Sequence, residues 1–239
     1  MKVAILTTET PHHAHFVREL GKIGATIEVY CETAGGAAPP FNTHHPFEDD
    51  RERHEWQLWF GGTQVAIDEL APTRRFATLN SPEAVTALRQ ARADVAVVFG
   101  TGLLKASVID ACGNMMLNLH GGDPEHYRGL DTHLWAIFHR DFAGLVTTLH
   151  RLDAGLDTGD IVLQGEIPLA QAMPLHALRS ANTELCVHLS VMAINTIARD
   201  GDVPSRRQRQ VGRYYSAMPA ELKSLCKVRF DRYIEKVAR

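Results

Sequence analysis

Five apolar residues in a row, Val95-Ala96-Val97-Val98-Phe99, stand between Asp94 and a Gly100-Thr101-Gly102 turn. A run this short and this uniformly apolar reads as a strand covered on both faces, the situation of a parallel sheet flanked by helices. The N-terminal sequence points the same way. Residues 2–7 read as a strand, residues 11–22 as a helix with Thr10 as N-cap and Pro11 in the first turn, and residues 26–31 as a second strand. Strand, helix and strand in this order make a parallel unit with a right-handed crossover. Residues 74–79 read as a third strand, and Ser81-Pro82-Glu83 opens another helix. The expected class is α/β: a Rossmann-like, mostly parallel twisted sheet with helices on both faces.

Beyond that run, residues 115–120, 144–152 and 160–167 read as strands and residues 132–140 as a helix. Residues 49–70 look helical with an interruption at Gly61-Gly62, and the Gly-, Ala- and Pro-rich residues 34–46 read as a loop. Residues 174–199 form a long amphipathic helix on this reading, carrying Leu178, Leu185, Leu189, Met192 and Ile197. After Gly201 the character changes. Arg213-Tyr214-Tyr215-Ser216 suggests a short strand, and residues 219–238 a basic amphipathic helix. The expected organisation is a core over residues 1–200 and a small C-terminal appendage over 201–239.

The chain has 239 residues, long enough to bury a sizeable core. A net charge of −3 gives no support to a nucleic-acid-binding surface. No apolar run approaches the roughly 20 residues of a membrane span, and the N-terminus lacks a cleavable signal pattern. Cys31, Cys112, Cys186 and Cys226 are far apart, as expected of reduced thiols in a cytoplasmic protein.

Chemistry concentrates in two places. In Asn118-Leu119-His120 a carboxamide and an imidazole stand two residues apart on a strand, so both point the same way. Asp157 follows in the glycine-punctuated loop Ala154-Gly155-Leu156-Asp157-Thr158-Gly159-Asp160. Asn as oxyanion donor, His as proton handler and Asp as its orienter make a plausible acyl-transfer set without a metal or a covalent nucleophile. Asp153 and Asp160 compete with Asp157 for the last role.

The neighbouring motifs extend this. Tyr127-Arg128-Gly129, Gly144-Leu145-Val146-Thr147-Thr148-Leu149-His150 and the Leu156-Asp157 loop follow His120 in order. The series resembles the folate-dependent formyltransferase family, whose hallmarks are Asn-x-His, a Pro-x-Tyr-Arg-Gly-like turn, Gly-Val-Thr-x-His and a Leu-Asp-x-Gly loop. The resemblance runs from about Val95 to Gln164. It implies transfer of a formyl group from 10-formyltetrahydrofolate to an amine, without a metal, and places catalysis on Asn118, His120 and Asp157. It also implies a pterin ring against Gly102, Leu103 and Leu104 and against Asp153, Ala154 and Gly155. His150 matches a recurrent family histidine, as packing or as support for the trio. Where the family usually reads Pro-Ser-Leu-Leu-Pro, this chain has Gly121-Gly122-Asp123-Pro124-Glu125, so a flexible, acidic segment is expected there.

Thr10, His12 and His13 follow the first strand, where a Rossmann-like fold presents a helix N-terminus to ligands. They and Arg128 are candidate substrate contacts, although Thr7-Thr8-Glu9-Thr10-Pro11 lacks a glycine-rich phosphate nest. The His12-His13-Ala14-His15 cluster with His44-His45 also raises a metal-binding or non-catalytic reading. It shows no established ligand spacing, so no metal is expected.

The resemblance allows several acceptors: methionyl-tRNA, glycinamide ribotide, nucleotide-linked amino sugars and hydroxamate precursors. Methionyl-tRNA enzymes usually carry a further C-terminal domain and a basic surface, and the glycinamide-ribotide phosphate loop is absent. Elimination therefore favours a nucleotide-linked amino sugar. A formyltetrahydrofolate hydrolase is the rival within the same chemistry; those enzymes usually add an N-terminal domain, for which the start of this chain leaves no room. A homodimer is expected because Tyr214, Tyr215, Met218 and the apolar side of the last helix must pack on the core or on a partner.

Overall fold

The computed structural model describes residues 1–35, 38–113 and 115–237. The chain runs β1 (Lys2–Thr7), α1 (Pro11–Leu20), β2 (Thr26–Glu32), α2 (Phe47–Phe60), β3 (Thr73–Phe76), α3 (Pro82–Ala91), β4 (Val95–Phe99) and α4 (Ala106–Cys112). It continues with β5 (Met116–Gly121), β6 (Tyr127–Gly129), α5 (Thr132–His139), β7 (Val146–Arg151), β8 (Ile161–Glu166), α6 (Leu178–Asp200), β9 (Arg213–Tyr215) and α7 (Ala220–Val237). Seven strands form one sheet in the order β3-β2-β1-β4-β5-β7-β8. The pairs from β3 to β5 are parallel. β7 runs antiparallel to β5, and β8 antiparallel to β7. The fold is the expected Rossmann-like α/β arrangement.

β4 lies in the middle of the sheet and all five of its residues are buried. Its uniform hydrophobicity follows from helices on both sides. On one face Val3, Ile5, Val95 and Val97 meet Phe16, Val17 and Leu20 of α1 and Leu189, Ile194 and Ile197 of α6. On the other, Ala4, Leu6, Ala96 and Val98 meet Ala84 and Leu88 of α3 and Val108 of α4. Successive residues of β1 and β4 therefore alternate between two apolar layers. Full burial of one such side chain stabilises by about 1.5–3 kcal/mol.

Some boundaries differ from the sequence reading. The helix expected over residues 49–70 stops at Phe60, because Gly61 turns left-handed at φ 62° and caps it. Only a short turn, Ile67–Glu69, follows. The short α4 was not anticipated. The expected loop over residues 34–46 lies partly outside the described residues.

The C-terminal segment folds back on its own chain. β9 pairs in parallel with β6. Met218, Cys226, Phe230 and Ile234 are buried with Leu134, Ala136 and Ile137 of α5. Much of the apolar side of α7 is thus covered within one chain, while Tyr214, also part of the reason given above for expecting a homodimer, stays 54% exposed. Among the described residues no helix is long and apolar enough to cross a membrane.

Candidate active site

β5 delivers its side chains by strict alternation. Leu117 and Leu119 enter the layer under α1 and α6, while Met116 enters the opposite layer. Asn118 and His120 share the Met116 face, at the carboxyl end of the strand, where open α/β sheets place their ligands. The antiparallel register sets His150 of β7 directly opposite Asn118. Directly opposed residues share a face, and Asn118 Nδ2 lies 3.0 Å from His150 Nε2. His150 Nδ1 donates to the Arg151 carbonyl at 2.8 Å. Its Nε2 is therefore an acceptor, and Asn118 Nδ2 donates to it. A second Nδ2 proton remains.

Asp157 arrives from the loop after β7 and is buried. Its Oδ2 accepts from the Gly129 N–H at 2.9 Å and stands 3.6 Å from His120 Nδ1. Its Oδ1 stands 3.7 Å from His150 Nε2. His120 Nε2 donates to the Tyr127 carbonyl at 2.7 Å. Nδ1 is then the only position where the ring can take a proton, and that proton would face the carboxylate. The structure brings Asn118, His120 and Asp157 together, and His150 joins them as the residue touching two of the three.

The electrostatics separate the two ends of this set. Burial pushes the Asp157 carboxyl up, but His150, His120 and the Gly129 amide outweigh it and hold the group at about 2. Burial lowers the His120 imidazole below its ordinary value, against the opposing pull of Asp157 and the Tyr127 carbonyl. The resting pair is a neutral imidazole beside a carboxylate, which is the state a proton acceptor needs.

These residues line a cavity of about 840 Å³, within the range of small-molecule and cofactor sites. Gly102, Leu103, Leu104, Asp153 and Gly155 also line it, whereas Ala154 is exposed and outside the lining. The Gly102 N–H is already engaged by Glu32 Oε2 at 2.9 Å, and the Leu103 carbonyl by Asn80 Nδ2 at 2.9 Å. Asp153 Oδ1 accepts from Gly155 N–H at 3.0 Å and from Thr158 Oγ1 at 2.7 Å, so its carboxylate shapes its own loop. Glu32 and Asn80 carried no motif in the sequence; their role is visible only once β2 and α3 stand beside the Gly102 turn.

On the far wall, His12 and His13 line the cavity and Thr10 does not. Thr10 Oγ1 lies 2.7 Å from His12 Nδ1 and 2.9 Å from His13 Nδ1. A hydroxyl has one proton, so it donates to one ring and accepts from the other. His13 Nε2 is buried without a partner, and an orphaned acceptor is tolerated better than an orphaned N–H. The bonding thus assigns His13 Nδ1–H to Thr10 and Thr10 O–H to His12, leaving Nε2–H on His12. Both rings stay neutral: burial first, then Arg179, lowers His13 to about 3, and burial with His13, Arg179 and Arg51 lowers His12 strongly. Arg51 and Arg179 share this wall, and Arg179 is held by the fully buried Glu55 at 2.7 and 2.6 Å.

Arg128, read above as a substrate contact, does not line the cavity. Its Nε donates to the Gly212 carbonyl at 2.7 Å and its Nη1 to the Leu156 carbonyl at 3.0 Å. The acidic segment after His120 is also pinned rather than flexible. Glu125 accepts two 2.9 Å bonds from Arg206, which with the Arg209 N–H bring its carboxyl to about 2. The histidine clusters stay apart. His15 stacks on Trp59 at 4.1 Å and meets Glu184 at 2.9 Å, while His44 meets Asp49 at 3.3 Å. Among the described residues no group of three or more His, Cys, Asp and Glu side chains is arranged to hold a metal.

The formyl transferase family pattern matches residues 60–189, more than half of the chain and the whole stretch from α3 through most of α6. The chain belongs to the formyl transferase family. A methionyl-tRNA formyltransferase from Rhodopseudomonas palustris is 35% identical over 141 residues, covering 59% of this chain and 45% of that protein. The chain spans about half the length of the curated relatives it matches. Its fold is shared with an N-formyltransferase from Helicobacter canadensis, solved with folinic acid and dTDP-3-aminofucose, at a TM-score of 0.61 and 15% identity over 90% of this chain and 71% of that one. It is shared also with phosphoribosylglycinamide formyltransferase from Bacillus halodurans, at a TM-score of 0.58 and 17% identity over 84% of this chain and 97% of that one.

Proposed function

We propose that this chain transfers the formyl group of 10-formyltetrahydrofolate to the amino group of a small acceptor, and that the acceptor is a nucleotide-linked amino sugar. The observation that carries the reading is the convergence of Asn118, His120 and Asp157 on one cavity wall, with the remaining Asn118 proton free to bond an oxyanion.

In this mechanism the acceptor nitrogen attacks the formyl carbon and the carbonyl oxygen becomes an oxyanion. Asn118 Nδ2–H stabilises that charge; one such donor is worth about 10²–10³ in rate. The new ammonium gives its proton to His120 Nδ1, where Asp157 stabilises the imidazolium. Collapse breaks the bond to N10 of the folate, the proton passes from His120 to N10, and a formamide and tetrahydrofolate result. His150 orients Asn118, and the Gly129 N–H holds Asp157 in place.

For the acceptor, support comes from the size of the cavity and from a far wall carrying Arg51, Arg179 and the His12 donor. That wall suits an acceptor rich in oxygen atoms. The test is release of tetrahydrofolate from 10-formyltetrahydrofolate with four separate additions: dTDP-3-aminofucose, glycinamide ribotide, methionyl-tRNA, or no acceptor. Turnover with the amino sugar alone is the expected result. Turnover only with methionyl-tRNA would overturn the acceptor, and equal turnover without any acceptor would favour the hydrolase reading.

A further inference from the structure

Asp157 sits at φ 53°, a left-handed conformation that is strained for a residue with a side chain. It is held there from outside its loop. Gln208 Nε2 donates to the Asp157 carbonyl at 2.8 Å and to the Gly159 carbonyl at 2.9 Å. A primary amide carries two protons, so both bonds form together and use its full donor capacity. Its Oε1 is buried without a partner, an arrangement that costs stability. A side chain that only filled space here would be better apolar.

Gln208 is itself anchored on both sides, by Arg206 and by the Arg209 N–H, which donates to Glu125 Oε1. The backbone of Arg206 pairs with Ile161 through two 2.8 Å bonds. The Arg206 guanidinium grips Glu125, five residues beyond His120. On the other flank of the loop, Arg128 ties the Leu156 carbonyl to Gly212. The Gly129 N–H, in the strand paired with β9, holds the carboxylate. The C-terminal segment thus fixes the backbone on either side of the carboxylate that faces His120 and His150.

We propose that Gln208 is a positioning residue for Asp157: its carboxamide sets the turn that keeps the carboxylate between the two imidazoles. The inference rests on the catalytic reading above. Misplacement of a reacting group by about 1 Å can cost about 10²-fold in rate, so Gln208→Ala should lower kcat about 10- to 100-fold and leave KM for 10-formyltetrahydrofolate within twofold. Gln208→Glu matches the size of the side chain but sets an acceptor against two carbonyls. It should lose at least as much, whereas a space-filling role predicts near-normal rates for it. In an Asp157→Asn background, Gln208→Ala should cause little further loss. Full activity of Gln208→Glu, or an undiminished effect in the Asp157→Asn background, would overturn the proposal. Normal turnover by Asp157→Asn alone would instead sink the catalytic assignment on which it rests.

Discussion

His13 offers a worked prediction for acid sensitivity. It is 4% exposed, and burial with the nearby Arg179 lowers its imidazole from 6.5 to about 3. In the unfolded chain the ring takes a proton near pH 6.5; in the folded chain it stays neutral until about pH 3. Its contribution to stability is therefore complete above pH 6.5 and is lost as the pH falls from there toward 3. Each pH unit in that window is worth about 1.36 kcal/mol. Going from pH 7 to pH 5 crosses about 1.5 units of it and costs about 2 kcal/mol, a large share of a typical stability of about 5–15 kcal/mol. The assay is urea denaturation of the wild type and of His13→Asn at both pH values. The variant lacks the titrating ring, so its loss of stability between pH 7 and pH 5 should be smaller by about 2 kcal/mol. Losses that agree within about 0.5 kcal/mol, the usual error of such differences, would show that His13 is not buried neutral as described.

Three further outcomes are expected. Asn118→Ala should reduce kcat about 10²–10³-fold with an unchanged circular dichroism spectrum; a loss under tenfold would argue against oxyanion contact. Because burial holds His120 below its ordinary value while Asp157 remains ionised, kcat, which reports the bound complex, should show its acid limb below pH 6.5. An acid limb centred above pH 7 would contradict this. Phe230, fully buried between α7 and α5, should cost about 3–5 kcal/mol when replaced by alanine, and a cost below about 1 kcal/mol would mean that α7 does not pack as described.

The sheet was legible because its strands carry the signature of their burial. Val95–Phe99 is apolar on both faces, and β4 is indeed the strand covered on both faces. Asn118 and His120 were legible by the same alternation that buries Leu117 and Leu119. What brings His150 to Asn118 is the antiparallel register of β5 and β7, which one strand's sequence does not contain. The pairing of β6 with β9 was hidden for a similar reason. Each strand has three residues, and Tyr127–Gly129 pairs with Arg213–Tyr215 across most of the C-terminal half. Tyr127-Arg128-Gly129 therefore read as a turn, and Arg128 as a ligand contact instead of a clasp on two backbone carbonyls. Gln208 lay in a polar run with no periodicity, and only the course of the chain places it under Asp157. The left-handed stop at Gly61 was visible as an interruption, but its effect, ending α2 at Phe60, depended on the cap forming there.

Transfer of the formyl carbon itself is the most direct readout of the proposed reaction. Purified protein given 10-[¹³C]formyltetrahydrofolate and dTDP-3-aminofucose, and read by mass spectrometry, should yield the ¹³C-formamido sugar. His120→Asn should yield about 10²-fold less or lower still, with the same thermal unfolding midpoint. Label appearing in the product at the same rate with wild type and His120→Asn would contradict proton transfer through His120.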